Sequence, residues 1–266
     1  MSPERSAAVI GAGIAGLTAA YELQKHGFDV IVLEGREVPG GRMTTVDWEG
    51  FRVDTGAKFV TTSDTRLLTL VEELGLSDQL VRDPNGLVTT IYRNGSLHSA
   101  NFLSLFSYFT WTGVSLKARL AMLKLIPHFL KLLGFRDVYH LEKAPLPDVD
   151  QDFEHFFKEE INAEMFEYWA IPMFETMCSY DGKDVSRKAF LALMAAYLNA
   201  DSVTFQNGIG VLPDALARRV RVELGARVRS MDMHRDQSGD PEYNFDEHIR
   251  AFCKRKYMSD FSLEMA

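Results

Sequence analysis

Cysteine is scarce in this sequence of 266 residues, with only Cys178 and Cys253, which lie far apart. No CxxC pair and no clustered Cys/His spacing occurs, so a disulfide scaffold and a structural zinc site both lack support. The 7 histidines show no metal-ligand spacing either, and we predict no metal site. A reducing, cytoplasmic compartment is the simplest expectation.

Positive charge is also in deficit, since 29 Lys+Arg stand against 37 Asp+Glu and the formal net charge is -8. General nucleic-acid binding normally needs a net basic surface, so that class is disfavoured. The longest uncharged stretch, between Arg93 and Lys117, contains many polar residues, whereas a membrane span needs about 20 predominantly apolar ones. No cleavable apolar leader is apparent at the N-terminus. The composition therefore predicts a folded, soluble protein.

The start of the chain has the pattern of a β-α-β unit. Apolar runs over Ala7–Ile10 and Asp29–Glu34 predict two strands, and helical periodicity over Ile14–Lys25 predicts a helix between them. Gly27 follows the helix and favours its termination. A crossover helix between consecutive strands makes the strands parallel, so the predicted fold class is α/β.

A glycine-rich turn separates the first strand from the helix. Gly11, Gly13 and Gly16 form a GxGxxG, in which the first glycine permits a tight turn, the second lets the backbone approach a pyrophosphate, and the third lets helix and strand pack closely. Glu34 ends the second strand, where an acid accepts hydrogen bonds from a ribose and repels a 2′-phosphate. FAD or NAD is therefore favoured over NADP, and a glycine turn without a ligand is the alternative.

Two segments resemble the flavin amine oxidase superfamily, which includes monoamine oxidases, protoporphyrinogen oxidases and phytoene desaturases. The first is residues 7–60, with Gly40-Gly41-Arg42 after the second strand, and the other is residues 205–231. The resemblance implies a Rossmann-like FAD-binding domain, a parallel sheet with a crossover helix, and an inserted, mostly helical substrate domain. The second glycine pair and its arginine favour FAD over NAD.

The resemblance also implies which residues bind FAD. Gly40 and Gly41 permit a turn that a Cβ would block, and Arg42 supplies a fixed cation for the pyrophosphate or a neighbouring acid. The alternative interpretation of Arg42 is an ordinary surface ion pair. The resemblance places Val228 at the adenine, and the alternative interpretation is that Val228 is simply a buried residue of a strand. The implied cofactor-binding residues are Gly11, Gly13, Ile14, Ala15, Gly16, Glu34, Gly35, Gly41, Arg42, Gly56, Ala57, Lys58, Phe59 and Val228.

The predicted domain organisation is discontinuous. Residues 1–80 and 203–235 form an incomplete FAD-binding domain, and residues 81–202 form an inserted helical domain for substrate or partner. Residues 236–266 form a polar tail with a terminal helix, for which Asn244 and Glu247 have capping-box spacing.

The inserted domain contains an apolar, basic stretch at 101–133 that has no acidic residue. Lys117, Lys124 and Lys131 lie seven apart on one helical face, and Pro127 should break the helix. Three interpretations are open: a core helix with a solvated lysine face, the lining of an apolar substrate tunnel, or a peripheral contact with an anionic membrane.

Superfamily members are much longer than this chain, so we expect the later sheet strands and the substrate-side lysine and aromatic pair of amine oxidases to be missing. We nominate no catalytic side chain, and we expect a second chain or another copy to cover the sheet edge. The leading hypothesis is an FAD-dependent oxidoreductase, or its FAD-binding subunit, that dehydrogenates an apolar or amine-bearing small molecule by hydride transfer to flavin N5. A non-catalytic nucleotide-fold subunit completing a partner enzyme is the alternative, and an NAD-dependent dehydrogenase is a third, disfavoured by Gly40-Gly41-Arg42.

Overall fold

The computed structural model divides into two compact units. The first is built from Met1–Phe59, Thr69–Leu80 and Thr204–Ala266, and the second from Val60–Leu68 and Val81–Val203. The residues that the structure describes are 6–82, 88–101, 105–172, 174, 181–198, 200–229, 232–235 and 241–244. Cys178, Cys253 and the predicted terminal helix lie outside them. The assignment of the units to FAD and to substrate stays a prediction.

The secondary structure within the described residues is as follows. The strands are β1 (Ser6–Ile10), β2 (Asp29–Leu33), β3 (Thr45–Trp48), β4 (Phe51–Asp54), β5 (Val60–Thr61), β6 (Leu80–Arg82), β7 (Val88–Arg93), β8 (Ser96–Asn101), β9 (Ser202–Phe205), β10 (Arg221–Glu223), β11 (Asp232–Arg235) and β12 (Pro241–Asn244). The α-helices are α1 (Ile14–Lys25), α2 (Thr65–Glu73), α3 (Leu105–Thr110), α4 (Leu116–Ala121), α5 (Ile126–Lys131), α6 (Phe153–His155), α7 (Ala163–Met165), α8 (Arg187–Leu198) and α9 (Val211–Ala217). Short 3₁₀-helices span Ser77–Gln79, Met122–Leu125, Leu141–Lys143 and Gly182–Asp184, and π-helical turns span Phe156–Asn162 and Phe166–Ala170.

The first unit is organised around a parallel sheet in the order β1-β2-β10. β1 and β2 pair in parallel with Val9 opposite Val32, and α1 connects them. β2 is buried from Val30 to Leu33, as expected of the central strand of a covered parallel sheet. The predicted β-α-β unit is confirmed, with each element within a residue or so of its expected bounds.

The C-terminal part of the first unit differs from the sequence prediction. The sequence pattern predicts a helix from Val211 to Arg221, but the helix ends at Ala217, because Arg221–Glu223 pairs in parallel with Ile31–Leu33. Alternating apolar residues from Arg227 to Met231 also predict a strand. Within described residues 227–229, only Val228 forms a β-bridge. β11 and β12, which the sequence did not predict, pair antiparallel, and β12 lies in the segment predicted to be a polar tail.

The second unit has a core rich in aromatic rings, to which the helical stretch from Phe153 to Ala170 contributes heavily. The rings of Phe153 and Phe190 stack with centroids 4.0 Å apart, and Phe157 meets Phe190 edge-on at 5.4 Å. Such arrangements add to the stabilisation from apolar burial. The helical pattern of residues 153–199 predicts a set of packing positions, and all of them are buried or half-buried: Trp169, Phe174, Phe190, Leu191, Leu193, Met194 and Tyr197.

An ion pair fixes the start of α4 within this unit. Glu164 accepts hydrogen bonds from Arg93 Nη1 at 2.7 Å and from the Ser115 hydroxyl at 2.5 Å, and Ser115 is the N-cap of α4. Burial raises the pKa of the Glu164 carboxyl, but the hydrogen bonds from Ser115 and Arg93 outweigh it, and the net pKa is lowered. The cluster therefore joins β7, the α4 N-terminus and α7.

The apolar, basic stretch is broken near Pro127, as predicted. α4 passes into the 3₁₀-helix Met122–Leu125 and then into α5, where Pro127 occupies the first turn. Proline is tolerated there because its missing N–H would have no helical partner. The break is thus a change of helix type immediately before the proline.

Candidate functional site

The glycine loop between β1 and α1 forms the centre of the candidate site. Gly11 has a positive φ of 94°, and its N–H donates to the Leu33 carbonyl at 2.7 Å. A Cβ built on Gly16 would overlap the Gly11 carbonyl oxygen and lie 3.3 Å from Val9 Cγ1. Gly11 and Gly16 therefore set the turn and the close helix-to-strand packing.

A second glycine turn packs against the first. Gly40 bridges to Gly13, and the Gly40 N–H donates to the Ala12 carbonyl at 2.8 Å. A Cβ on Gly41 would lie 3.2 Å from Gly13 Cα, whereas a Cβ on Gly13 would have no atom within 4 Å. The two loops thus meet closely on one side of Gly13 and leave its other side open.

The open side of Gly13 faces a cavity of about 530 Å³. The first turn of α1 borders it, so unsatisfied helical N–H groups lie at its wall. Two arginines, Arg36 and Arg42, add positive charge. The lining residues are Gly13, Ile14, Ala15, Arg36, Gly40, Gly41, Arg42, Met43, Thr55 and Gly56. A helix N-terminus, glycine backbone and guanidinium groups together form an anion-binding environment.

Glu34 lies beside the glycine loop at the end of β2. Its backbone N–H donates to the Glu223 carbonyl at 2.9 Å, which ties it to β10. One carboxylate oxygen accepts from the Ala12 N–H at 2.7 Å, and the other accepts from the Arg36 N–H at 2.9 Å. A carboxylate has about four acceptor positions, so Glu34 retains capacity for further donors.

Six of the predicted cofactor-binding residues line the cavity together: Gly13, Ile14, Ala15, Gly41, Arg42 and Gly56. Gly11, Gly16 and Glu34 shape or flank the same loop without lining it. Gly56 has no room for a side chain, because a Cβ there would overlap the Arg42 carbonyl oxygen.

The remaining predicted residues lie outside the cavity lining. The Ala57 N–H donates to the Arg42 carbonyl at 2.8 Å, and the Lys58 carbonyl accepts from the Thr204 hydroxyl at 2.9 Å. Gly35 lies against Arg227, whose Cβ would be 3.4 Å from a Cβ on Gly35. Phe59 and Val228 are half-buried. Their contact with a cofactor stays a prediction.

Sequence reasoning missed a hydrogen-bond network that supports the site from β3 and β4. The Thr45 hydroxyl donates to Asp54 Oδ1 at 2.6 Å and accepts from the Gly210 N–H at 2.8 Å. Asp54 Oδ1 also accepts from the Ile209 N–H at 3.1 Å. The available signal was Gly208, which has a φ of 86° and approaches Thr45 so closely that no Cβ would fit. The lining residues Arg36, Met43 and Thr55 were also missed.

Replacing Asp54 by alanine should lower the free energy of unfolding by about 2 kcal/mol, because the buried Ile209 N–H and the Thr45 hydroxyl lose their acceptor. Urea denaturation followed by circular dichroism measures this. The matched control is Asp47→Ala on the same hairpin, where an exposed pair with Arg52 is removed and a change within about 0.5 kcal/mol is expected. Equal stability of the two variants would contradict the bracing role of Asp54.

Within the described residues, no group of three or more His, Cys, Asp or Glu side chains is placed to hold a metal ion. No helix in the same ranges is both long enough and apolar enough to cross a membrane.

Comparisons with known proteins agree on one family. The family model described as "Flavin containing amine oxidoreductase" matches residues 14–245. The mitochondrial protoporphyrinogen oxidase of Nicotiana tabacum is 30% identical over 188 residues, which are 70% of this chain and 35% of that protein. The flavin-containing amine oxidase A of Canis lupus familiaris is 46% identical over 81 residues, 30% of this chain and 15% of that protein. The chain spans well under two thirds of the length of these relatives.

Solved structures share the fold over most of the chain. Cyclohexylamine oxidase from Brevibacterium oxydans aligns with a TM-score of 0.62 at 20% identity, covering 88% of this chain and 53% of that one. A putative protoporphyrinogen oxidase from Exiguobacterium aligns with a TM-score of 0.60 at 19% identity, covering 91% and 58%. These likenesses show that the chain shares its fold with the two oxidases. Because the family model matches most of its residues, the chain belongs to the flavin-containing amine oxidoreductase family.

Proposed function

We propose that the first unit binds FAD and that the chain forms the FAD-binding part of an oxidoreductase. The observation that carries this proposal is the arrangement around Gly13, where two glycine turns meet and leave an open cavity at the N-terminus of α1. A parallel sheet with a crossover helix and a glycine loop at the end of its first strand is the Rossmann-like arrangement for a dinucleotide.

The pyrophosphate fits the open side of Gly13. A Cβ at this position would meet no protein atom, so the space is available to a ligand that approaches the backbone. N–H groups in the first turn of α1 and the guanidinium of Arg42 supply donors and positive charge. Ile14, Ala15 and Arg42 would thus hold the phosphates.

The ribose fits the carboxylate of Glu34. Two backbone N–H groups hold this carboxylate beside the loop and leave acceptor positions for ribose hydroxyls. Its negative charge would repel a 2′-phosphate, which supports FAD over NADP. Glu34 would therefore fix the adenosine end of the cofactor relative to the pyrophosphate.

For the reaction we propose dehydrogenation of an apolar or amine-bearing small molecule. A bound flavin supplies a hydride acceptor at N5, and this chain's residues bind and orient it. The substrate class is supported by the relatives, whose names include a protoporphyrinogen oxidase and an amine oxidase. We assign no catalytic side chain to the described residues.

The visible spectrum of the purified full chain tests FAD binding directly. Flavin absorption bands, or their appearance after reconstitution with FAD, are the expected result. A colourless protein that cannot be reconstituted would overturn the proposal. Loss of the bands on anaerobic addition of an amine or of protoporphyrinogen would support dehydrogenation, and an FAD-loaded chain reduced by neither class would contradict it.

Replacing Glu34 by alanine should weaken FAD binding by about tenfold to a hundredfold, because the ribose loses a charged acceptor. Isothermal titration with FAD gives the dissociation constant, and Glu34→Gln, which keeps one acceptor oxygen, should lose less. The matched control is Glu37→Ala, an exposed acid three residues along the chain that should bind FAD as tightly as the wild type. Unchanged flavin content in Glu34→Ala would refute the ribose assignment.

A further inference from the structure

The hairpin formed by β3 and β4 presents an exposed apolar surface, which we term the hairpin face. It consists of Val46, Trp48, Phe51 and Val53, which are 40%, 62%, 69% and 37% exposed. Val46 pairs with Val53 across the two strands, and Trp48 pairs with Phe51. Residues that pair directly, and residues two apart along a strand, point to the same side of a sheet. All four apolar side chains therefore lie on one side of the hairpin and face water.

The opposite side of the hairpin is already occupied within the first unit. Thr45 lies on that side, and its hydroxyl accepts a hydrogen bond from the Gly210 N–H at 2.8 Å. The charged residues Asp47 and Arg52 also lie there, and they pair with each other at 3.3 Å from Nε to Oδ1. The hairpin is thus held from its polar side, and its charged pair stays away from the hairpin face.

The side chains of the hairpin face are graded in size along the hairpin. The pair Trp48 and Phe51 lies next to the turn at the tip, and the pair Val46 and Val53 lies nearer the base. When two copies pack face to face about a two-fold axis that runs across the hairpins, each tip lies over the partner's base. Large rings then meet small valines, and the two surfaces can interdigitate as close packing requires. The hairpin face is therefore complementary to itself in shape.

The two ends of the hairpin also carry charges of opposite sign. Glu49 lies in the turn at the tip, while Arg42 and Lys58 flank the base in the chain, and all three are exposed. The antiparallel arrangement brings each Glu49 towards the partner's base, so opposite charges approach each other. A tip-to-tip arrangement would instead bring the two Glu49 carboxylates together. Charge therefore favours the same arrangement as side-chain size.

We propose that the chain self-associates through the hairpin face as a weak two-fold dimer. The four side chains expose roughly 400 Å² per copy, which is half of the roughly 800 Å² per partner that a standard interface buries. An interface of this size gives a transient complex, with a dissociation constant on the order of 10 to 100 µM. The dimer does not depend on FAD binding, because the hairpin face shares no residue with the cavity lining.

Tryptophan fluorescence reports selectively on the hairpin face. Of the 3 tryptophans, Trp48 is 62% exposed, whereas Trp111 and Trp169 are each 4% exposed. Raising the concentration of the full chain from about 1 to about 300 µM should shift the emission to shorter wavelength and reduce quenching by acrylamide, because the Trp48 ring leaves water. Sedimentation equilibrium on the same samples gives the dissociation constant. Their flavin content is also measured, so self-association and cofactor binding are read separately.

Substitutions separate the aromatic and charged contributions, with sedimentation as the readout. Trp48→Thr with Phe51→Thr keeps residues that suit a strand and should weaken self-association more than about a hundredfold, because both copies lose their rings. The matched control is Tyr92→Thr, which removes a ring that is 74% exposed on β7 and should associate like the wild type. Glu49→Lys should weaken self-association about tenfold, because like charges then meet. Its control is Glu72→Lys, at an exposed acid on α2.

A wild-type chain that stays monomeric up to about 300 µM would overturn the proposal. Self-association that leaves Trp48 open to acrylamide would do the same, because the contact would then lie on another surface. Self-association of the double variant at wild-type strength would also contradict it. Circular dichroism shows whether each variant is folded, and Glu49→Lys, which keeps all four apolar side chains, provides a test that does not depend on the aromatic substitutions.

Discussion

Replacing Gly16 by alanine should lower the free energy of unfolding by about 3 kcal/mol. The added methyl group would overlap the Gly11 carbonyl oxygen and lie 3.3 Å from Val9 Cγ1. A carbonyl oxygen cannot rotate away as a flexible side chain can, so the loop has to shift. That shift would strain the 2.7 Å hydrogen bond from Gly11 to Leu33, which ties the loop to the central strand. Urea denaturation of the variant without added FAD measures the loss.

The control for this substitution is Gly27→Ala at the other end of α1. Gly27 has a φ of 82°, but a Cβ there would meet no atom within 4 Å. Only the cost of a left-handed conformation remains, about 1 kcal/mol. If Gly16→Ala cost no more than Gly27→Ala, the steric role of Gly16 would be wrong.

The β-α-β unit could be predicted because its signals are local. The apolar runs of β1 and β2, the periodicity of α1 and the glycine spacing all lie within about thirty consecutive residues. The steric demand at Gly16 arises from Gly11, only five residues away. A single stretch of sequence therefore contains nearly all the information that this part of the fold requires.

Elements that depend on distant partners could not be predicted in the same way. Arg221–Glu223 forms a strand because it pairs with Ile31–Leu33, and its own three residues carry no distinctive strand pattern. Thr45 reaches Gly210 across 165 positions of sequence, so no spacing rule connects them. In both cases tertiary contacts decide the local structure.

The stretch of residues 116–133 illustrates a further limit of periodicity. Helical spacing correctly predicted apolar positions over residues 116–133, but both the side containing Met122 and Leu125 and the side containing Leu120 and Leu130 are apolar. When two sides of a helical segment are both apolar, the periodicity of the sequence does not tell which side packs against the core. Packing in the second unit, where Ala118 and Leu125 meet the aromatic core, settles it.

The candidate site was predicted where it depends on backbone geometry and only partly where it depends on side chains. Gly41 and Gly56 line the cavity with Gly13 because only glycine fits at these two positions, where a Cβ would crowd Gly13 Cα or overlap the Arg42 carbonyl oxygen. Arg36 was missed as a lining residue, although its backbone N–H donates to the carboxylate of Glu34, which was predicted as a site residue. The role of an arginine side chain depends on which loop folds beside it, which a motif does not specify.

Replacing Gly13 by alanine should weaken FAD binding without the loss of stability expected for the Gly16 substitution. Gly13 has a φ of -73° and a ψ of 170°, which alanine adopts without strain, and a Cβ there would meet no atom of the chain. The free energy of unfolding without FAD should therefore change by no more than about 0.5 kcal/mol. Because the methyl group would occupy the space proposed for the pyrophosphate, FAD affinity should fall by about a hundredfold.

Two measurements on each variant distinguish a binding defect from a folding defect. Isothermal titration gives the FAD dissociation constant, and urea denaturation gives the stability without FAD. Gly13→Ala should lose affinity and keep stability, Gly27→Ala should keep affinity with a small stability loss, and Gly16→Ala should lose both. Wild-type affinity in Gly13→Ala would place the pyrophosphate elsewhere, since no ligand lying against the open side of Gly13 could accommodate the added carbon.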